Sequence, residues 1–261
     1  HGNERIIRMI VAPKSNVPQC MERTAYFRRG VGFTQYAVSY RDRRDDCRTQ
    51  TIVVHALKDG SACVRVLIDK KEFFVPLCLL LKALKPTTDM EIYNAIVHSE
   101  SEAYIIERVE MMLRNFHYDH IKTTNEALAY LGKMFRPICF RNRVDLDDEH
   151  VGREFLDTYM FFSLTDYDAP MRGNEAKFSL LCTITRKLYL FTEGKIKAEN
   201  ADSTANHDVI LPGHLFCAVM SELCTSLESG QFQTPSASNR CPQRQSIVDP
   251  LFVKMTGPQS T

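Results

Sequence analysis

The sequence has no apolar run approaching the ~20 residues that a membrane-spanning helix needs. Its first residues, HGNERIIRM, are charged where a secretory signal would be apolar. They do not start with Met, which we read as the mark of a piece excised from a longer chain. No C-x-x-C occurs among the nine cysteines at positions 20, 47, 63, 78, 139, 182, 217, 224 and 241, which argues against a zinc ribbon or a dithiol redox motif. Their number is odd and their spacing wide. Several lie in apolar runs, as Cys78 and Cys182 do, so they read as reduced core residues of an intracellular protein. Neither G-x-x-x-x-G-K-[ST] nor G-x-G-x-x-G is present, so no phosphate-cradling loop is expected. No glycine-rich elbow flanks a Ser or Cys, which leaves a stand-alone hydrolase without its usual nucleophile geometry.

What is present is an ordinary globular composition over 261 residues, enough for one or two domains with a core. The net charge is +1, but the halves differ. Residues 1–84 hold 15 Lys and Arg against 8 Asp and Glu, and the remainder holds 18 against 24. A basic first part can face an anionic partner, or it can be the solvated side of a small sheet.

The stretch from Arg29 to Leu84 carries the clearest pattern. Tyr36, Val38 and Tyr40 alternate with Gln35, Ala37 and Ser39, which predicts a half-buried strand over Thr34–Arg41. A charged corner, RDRRDDCR, leads to a second strand over Thr49–Leu57. Asp59-Gly60 supplies a hairpin, and Val64, Val66 and Ile68 alternate in a third strand. Pro76 suits a first helical turn, and LCLLLKAL then reads as a buried helix. Residues 1–12 read as a further strand, and residues 13–33 as loop.

From Lys85 the texture becomes helical. Thr88-x-x-Glu91, Ser99-x-x-Glu102 and Thr123-x-x-Glu126 are capping boxes, in which side chains and backbone N–H groups satisfy each other at a helix start. Acidic residues up to Glu149 suit the N-terminus of a helix with Val151, Phe155, Tyr159 and Phe162 on one face. A long helix follows with Leu181, Ile184, Leu188 and Phe191 as its stripe and Gly194 as its stop. A last helix carries Leu215, Val219, Leu223 and Leu227 and ends at Gly230. The expected fold class is α+β, with a small antiparallel sheet in residues 1–84 and a mainly helical domain over 85–230. Residues 231–246 are too polar to bury much surface and read as a flexible linker before a return segment, 247–261.

Candidate chemistry is sparse. His117 and His120 could share a metal, but four ligands are needed and no Cys is near in sequence, so solvated histidines at a helix end compete with that reading. The acidic run DLDDE lacks EF-hand spacing and suits dipole compensation. Arg28, Arg29, Arg41, Arg43 and Arg44 form the densest basic cluster. The planar guanidinium fork suits phosphate contact. Asp42, Asp45 and Asp46 interleave with them, so self-pairing is the alternative.

RGVGFTQYAVSYR, followed by a hairpin, KKEFFVPL and LLLKAL, resembles the second-largest (β-like) subunit of eukaryotic RNA polymerase I. The GFTQYAV run is closer to the polymerase I form than to those of polymerases II and III. GNERIIR is similar to the family's N-G-x-E-[KR]-V-I turn and strand at Gly2, Glu4, Arg5, Ile6 and Ile7. EALAYLGKMFR resembles its A-L-x-[FY]-[IL]-G helix at Ala127, Leu128, Tyr130, Leu131 and Gly132. FSLLCTITRKL resembles a lobe helix, ENADSTANHDVILPGHLF the loop before the last lobe helix, and LF…TG at 251–257 echoes the return strand.

The resemblance implies that residues 1–84 are part of the protrusion domain and 85–230 the lobe of a DNA-directed RNA polymerase, a nuclear and nucleolar nucleotidyltransferase making ribosomal precursor RNA. It implies a wall of the DNA cleft, with DNA template, the largest subunit, a TFIIF-like heterodimer and a small zinc-ribbon subunit as partners, and no membrane. Catalytic Mg and structural Zn would lie elsewhere in that enzyme, so no catalytic residue, metal ligand or cofactor is expected in this stretch. The rival readings are a free-standing protein-interaction module and a Cys-dependent enzyme.

Overall fold

The computed structural model describes residues 6–30, 32–44, 48–68, 71–99, 102–116, 121, 123–139, 146–166 and 170–228. In chain order the strands are β1 (Ile10–Pro13), β2 (Pro18–Glu22), β3 (Phe33–Arg43), β4 (Thr49–Leu57), β5 (Ala62–Ile68), β6 (Lys71–Pro76) and β7 (His207–Ile210). The helices are α1 (Leu77–Leu84), α2 (Asp89–Ile96), α3 (Ala103–Phe116), α4 (Thr124–Cys139), α5 (Asp148–Tyr159), α6 (Pro170–Glu193) and α7 (Pro212–Glu228). The class is α+β, as expected.

The chain forms two units. One comprises residues 1–14, 45–48 and 203–261. In it β1 pairs antiparallel with β7, from Ile10 opposite Ile210 to Pro13 opposite His207, and α7 follows. The strand expected over residues 1–12 is thus Ile10–Pro13 among the described residues. In α7, Leu215, Val219 and Leu223 are half-buried. Gly230, the linker and the return segment lie outside the described residues.

The other unit comprises residues 15–44 and 49–202. Its sheet is an antiparallel meander in the order β2-β3-β4-β5-β6. Alternation gives each strand two faces. Val38, Tyr40, Ile52, Val54, Val64, Val66 and Val75 face the main core, which they share with residues of α1 to α6. Residue 84 therefore marks a change of texture within one core, since strands before it and helices after it bury their apolar faces together. Three strands lay beyond the sequence reading, one of them β7, in the stretch read as the loop before the last helix. β2 falls in the stretch taken as loop, and pairs Cys20 with Val38. β6 pairs Val75 with Val64, and Pro76 ends it rather than beginning α1.

All eight residues of α1 are buried. Each leucine in that position contributes roughly 1.5–3 kcal/mol by leaving water. Its single charge, Lys82, pairs with Asp89 in the first turn of α2 at 2.8 Å. Two capping boxes form as expected. Thr88 accepts from the Glu91 amide while Glu91 accepts from the Thr88 amide, and Thr123 and Glu126 do the same. The third differs. The Glu102 carboxylate is turned to Arg186 of α6, in a fork of 2.5 and 2.8 Å that holds its carboxyl below the usual range. A charged bidentate pair outweighs one amide contact.

On α6, Leu181, Ile184, Leu188 and Phe191 are all buried, and Gly194 ends the helix at φ +88°. On α5, Val151 and Phe155 are buried, but the helix stops at Tyr159 and Phe162 begins a 3-10 turn. That corner needs Phe161 in the left-handed region, at φ 46°, which costs about 1–2 kcal/mol. It is held by Asp42, fully buried on β3, which accepts from the Ser163 amide at 3.1 Å and from the Ser163 hydroxyl. Nearby, the buried Lys177 donates to the Leu156 carbonyl and to Asp157. Burial pushes its ammonium below the usual lysine range, against the pull of Asp157.

Helices α4 and α5 meet backbone to backbone. A Cβ on Gly132 would lie 1.8 Å from the Asp148 carbonyl oxygen, and one on Gly152 would lie 2.1 Å from that of Leu128. Phe135 and Phe155 stack beside this contact at 3.9 Å. Either helix must move to admit a methyl group. Gly132→Ala and Gly152→Ala are each expected to lower stability by about 1–3 kcal/mol in urea denaturation. Gly213→Ala, with no atom within 4 Å of the new methyl group, is expected to leave stability unchanged or slightly raised.

Candidate nucleic-acid interface

The five arginines singled out in the sequence fall into two groups. Arg41 and Arg43 lie on β3 opposite Thr51 and Thr49, and Arg44 follows the strand. Strand alternation sorts the RDRR run: Arg41 and Arg43 share one face, and Asp42 points to the other. Asp42 is taken up by Ser163 in the interior, so it is not the neutralising partner that its position in sequence invites. Asp45 and Asp46 lie outside the described residues. Asn16, at φ 58°, fixes this end of β3. Its side chain exchanges two hydrogen bonds with the Arg43 backbone, and its amide donates to the Arg41 carbonyl.

Arg28 and Arg29 end a 3-10 segment, Thr24–Arg29, in the stretch expected to be loop. Arg28 is exposed. Arg29 is not available in the same way. It donates to His55 Nε2 at 2.9 Å and to Glu72 at 2.9 Å, and its guanidinium sits 4.7 Å from the centre of the Tyr26 ring. Arg65 reaches the same Glu72 oxygen at 2.8 Å. His55 pairs with Ala37 across the sheet, so Arg29 stands near that level. Arg41 is four residues further along β3, on the order of 13 Å away. The structure thus brings Arg41, Arg43 and Arg44 to one strand end and commits Arg29 to an internal network.

Sequence reasoning missed His55, Glu72 and Arg65 in that network. The signal was there: His55 interrupts TIVVHAL on the face opposite Val54. His55 is fully buried between Tyr26, Phe33 and Phe74. Because Nε2 accepts from Arg29, the proton sits on Nδ1, which has no hydrogen-bond partner among the described residues. Burial, with the Arg29 and Arg65 charges, pushes the imidazole down to about 3 from 6.5.

Catalytic alternatives gain nothing from the geometry. Burial pushes the thiols of Cys63, Cys78 and Cys182 up to about 12 and that of Cys20 up to about 11, so these four stay protonated and unreactive. Cys217 and Cys224 are exposed. Among the described residues no group of His, Cys, Asp and Glu could hold a metal ion, and His117 and His120 lie outside them. No helix among them is long and apolar enough to cross a membrane.

The buried imidazole has a consequence for acid stability. The unfolded chain binds a proton at His55 as pH falls below 6.5, whereas the folded chain resists until about 3. Stability is therefore lost on acidification across that window. Urea denaturation as a function of pH is expected to show a shallower loss between pH 6.5 and 3 in His55→Gln than in the parent.

Comparison with known proteins gives one answer. The sequence model of "RNA polymerase Rpb2, domain 2" matches residues 35–209. "DNA-directed RNA polymerase I subunit rpa2" of Dictyostelium discoideum is 36% identical over 236 residues, which are 88% of this chain and 20% of that protein. The Saccharomyces cerevisiae "DNA-directed RNA polymerase I subunit RPA135" is 33% identical over 225 residues, 85% of this chain and 18% of that protein. The human "DNA-directed RNA polymerase I subunit RPA2" is 30% identical over 223 residues, 85% of this chain and 19% of that protein. The chain spans about a fifth of the length of the curated relatives it matches. With more than half of its residues inside the family match, the chain belongs to the RNA polymerase Rpb2, domain 2 family.

Proposed function

We propose that this chain is the protrusion-to-lobe region of the second-largest subunit of DNA-directed RNA polymerase I, a nuclear enzyme acting in the nucleolus on ribosomal DNA. The observation that carries the reading is the family match over residues 35–209 together with polymerase I relatives along most of the chain. In this reading the unit of residues 15–44 and 49–202 is the lobe. The strand pair β1–β7 and α7 are where the chain passes to the protrusion. The region works as scaffold: it walls the DNA cleft and offers docking surface to the largest subunit, a TFIIF-like heterodimer and a small zinc-ribbon subunit. Nucleotidyl transfer and its metal ions belong to other parts of the enzyme.

DNA contact, in this reading, is made at the end of β3. Arg41, Arg43 and Arg44 carry permanent charge on neighbouring positions, and Arg28 adds an exposed guanidinium. Phosphate contacts of this kind are independent of sequence and sensitive to salt. Arg29 is held apart from that strand end by its bonds to His55 and Glu72. Reversing Arg41, Arg43 and Arg44 together to Glu is expected to weaken duplex binding at low salt at least tenfold. The salt dependence should flatten by about 0.9 for each phosphate contact removed. Fluorescence anisotropy across a salt series measures both, and unchanged affinity at low salt would remove this corner from the cleft wall.

A further inference from the structure

The hairpin between β4 and β5, residues of β3, and helices α3 and α6 enclose a recess of about 240 Å³. Its cations are Arg108 of α3 and Lys58 of the hairpin, and no acidic residue lines it. Five arginines of this unit, Arg29, Arg65, Arg114, Arg136 and Arg186, each pair with a carboxylate. Arg108 has none among the described residues. Its Nε is buried without a hydrogen-bond partner, and its guanidinium rests 4.9 Å from the centre of the Tyr104 ring. A desolvated, unpaired guanidinium N–H is costly to hold.

The hydroxyl groups of the lining sharpen the picture. Thr34, Ser61 and Thr192 already donate to Ala56, Asp59 and Tyr189. The buried Tyr189 donates to the Gly60 carbonyl. The hydroxyls of Tyr36 and Tyr104 have no partner among the described residues. The recess thus presents two cations and two unpartnered tyrosine hydroxyls, and no carboxylate among its lining residues. Gly60, at φ +85°, lets the hairpin close on α3, and a Cβ there would meet Arg108 Nη1 at 3.2 Å and Met111 Cβ at 3.1 Å.

We propose that this recess is a docking pocket for a carboxylate side chain, Glu or Asp, on an acidic segment of a protein partner, with Arg108 as the anchoring cation. The guanidinium fork matches a planar carboxylate bidentately. The Tyr36 and Tyr104 rings and Leu57 offer apolar walls to the side chain that carries it. A volume near 240 Å³ admits one side chain, and two cations do not make the extended basic track that a nucleic-acid backbone follows. The pocket is independent of the Arg41, Arg43 and Arg44 corner and does not rest on the polymerase reading.

The test is a titration of the full chain with a blocked peptide of alternating glutamate and phenylalanine, read from the amide resonances of Gly60, Ser61 and Thr192. The matched glutamine peptide, inorganic phosphate and a DNA duplex form the control arms. The glutamate peptide is expected to shift these resonances, the glutamine peptide to bind at least tenfold more weakly, and Arg108→Gln to weaken binding at least tenfold. Tyr104→Phe should weaken it a few-fold. The triple charge reversal at Arg41, Arg43 and Arg44 should leave peptide binding at these resonances intact. Equal binding of the two peptides to the unaltered chain overturns the proposal, and so does shifting by phosphate or DNA without shifting by the peptide. The peptide comparison needs no variant, so a folding defect in Arg108→Gln does not blunt it.

Discussion

An eight-residue helix with no side facing water sets the terms for the rest of the larger unit. Helix α1 is apolar at seven of eight positions and buried at all of them, so it must be covered on every side. The meander covers it from one direction, and α3, α4 and α6 from the others. The one charge inside it cannot remain unpaired at tolerable cost. The pairing of Lys82 with Asp89, and the Phe116 ring 5.2 Å from its ammonium, meet that demand. Strands and helices are therefore one body, because their common centre is a segment that neither could bury alone.

The same economy of charge runs through the buried polar groups. Asp42 is spent on the Ser163 corner, Glu102 on Arg186 and Arg29 on His55 and Glu72. Each charge that looks like surface in the sequence ties two distant segments together. Two cationic features stand apart from these three links: the strand end that carries Arg41, Arg43 and Arg44, and Arg108, whose Nε has no hydrogen-bond partner among the described residues. These carry the two binding proposals, and they differ in character. One is a permanently charged strand end proposed for phosphates. The other is a recess whose shape selects a single side chain.

Much of this was legible in the residues. Period-two alternation located β3 and β5, the charged corner and the Asp59-Gly60 turn bracketed β4, two capping boxes set the starts of α2 and α4, and Gly194 stopped α6 where expected. The failures have physical causes. PQCME carries one buried side chain, Cys20, and its strand exists because β3 offers an edge, which no local pattern reveals. KEFFVP lacks clean alternation because Phe73 and Phe74 pack on opposite faces, one against Phe135 and one against Phe33. Arg29 and Arg41 look alike in sequence. Only the structure shows that Arg29 reaches His55 at 26 residues' separation and Glu72 at 43, while Arg41 lies on β3 opposite Thr51. The recess at Arg108 was invisible for the same reason, since its lining is drawn from segments more than a hundred residues apart.

Helix α6 has 24 residues, so it is a rod about 36 Å long. It is anchored at intervals: to the α5 end through Lys177, to α2 and the start of α3 through Arg186, to β2 through Lys187 and to the β4–β5 hairpin through Tyr189. Such a spar has no slack. Its anchors are spread along its length, so it acts as a strut that sets the spacing of the α5 corner, the α2–α3 junction, β2 and the β4–β5 hairpin along one axis.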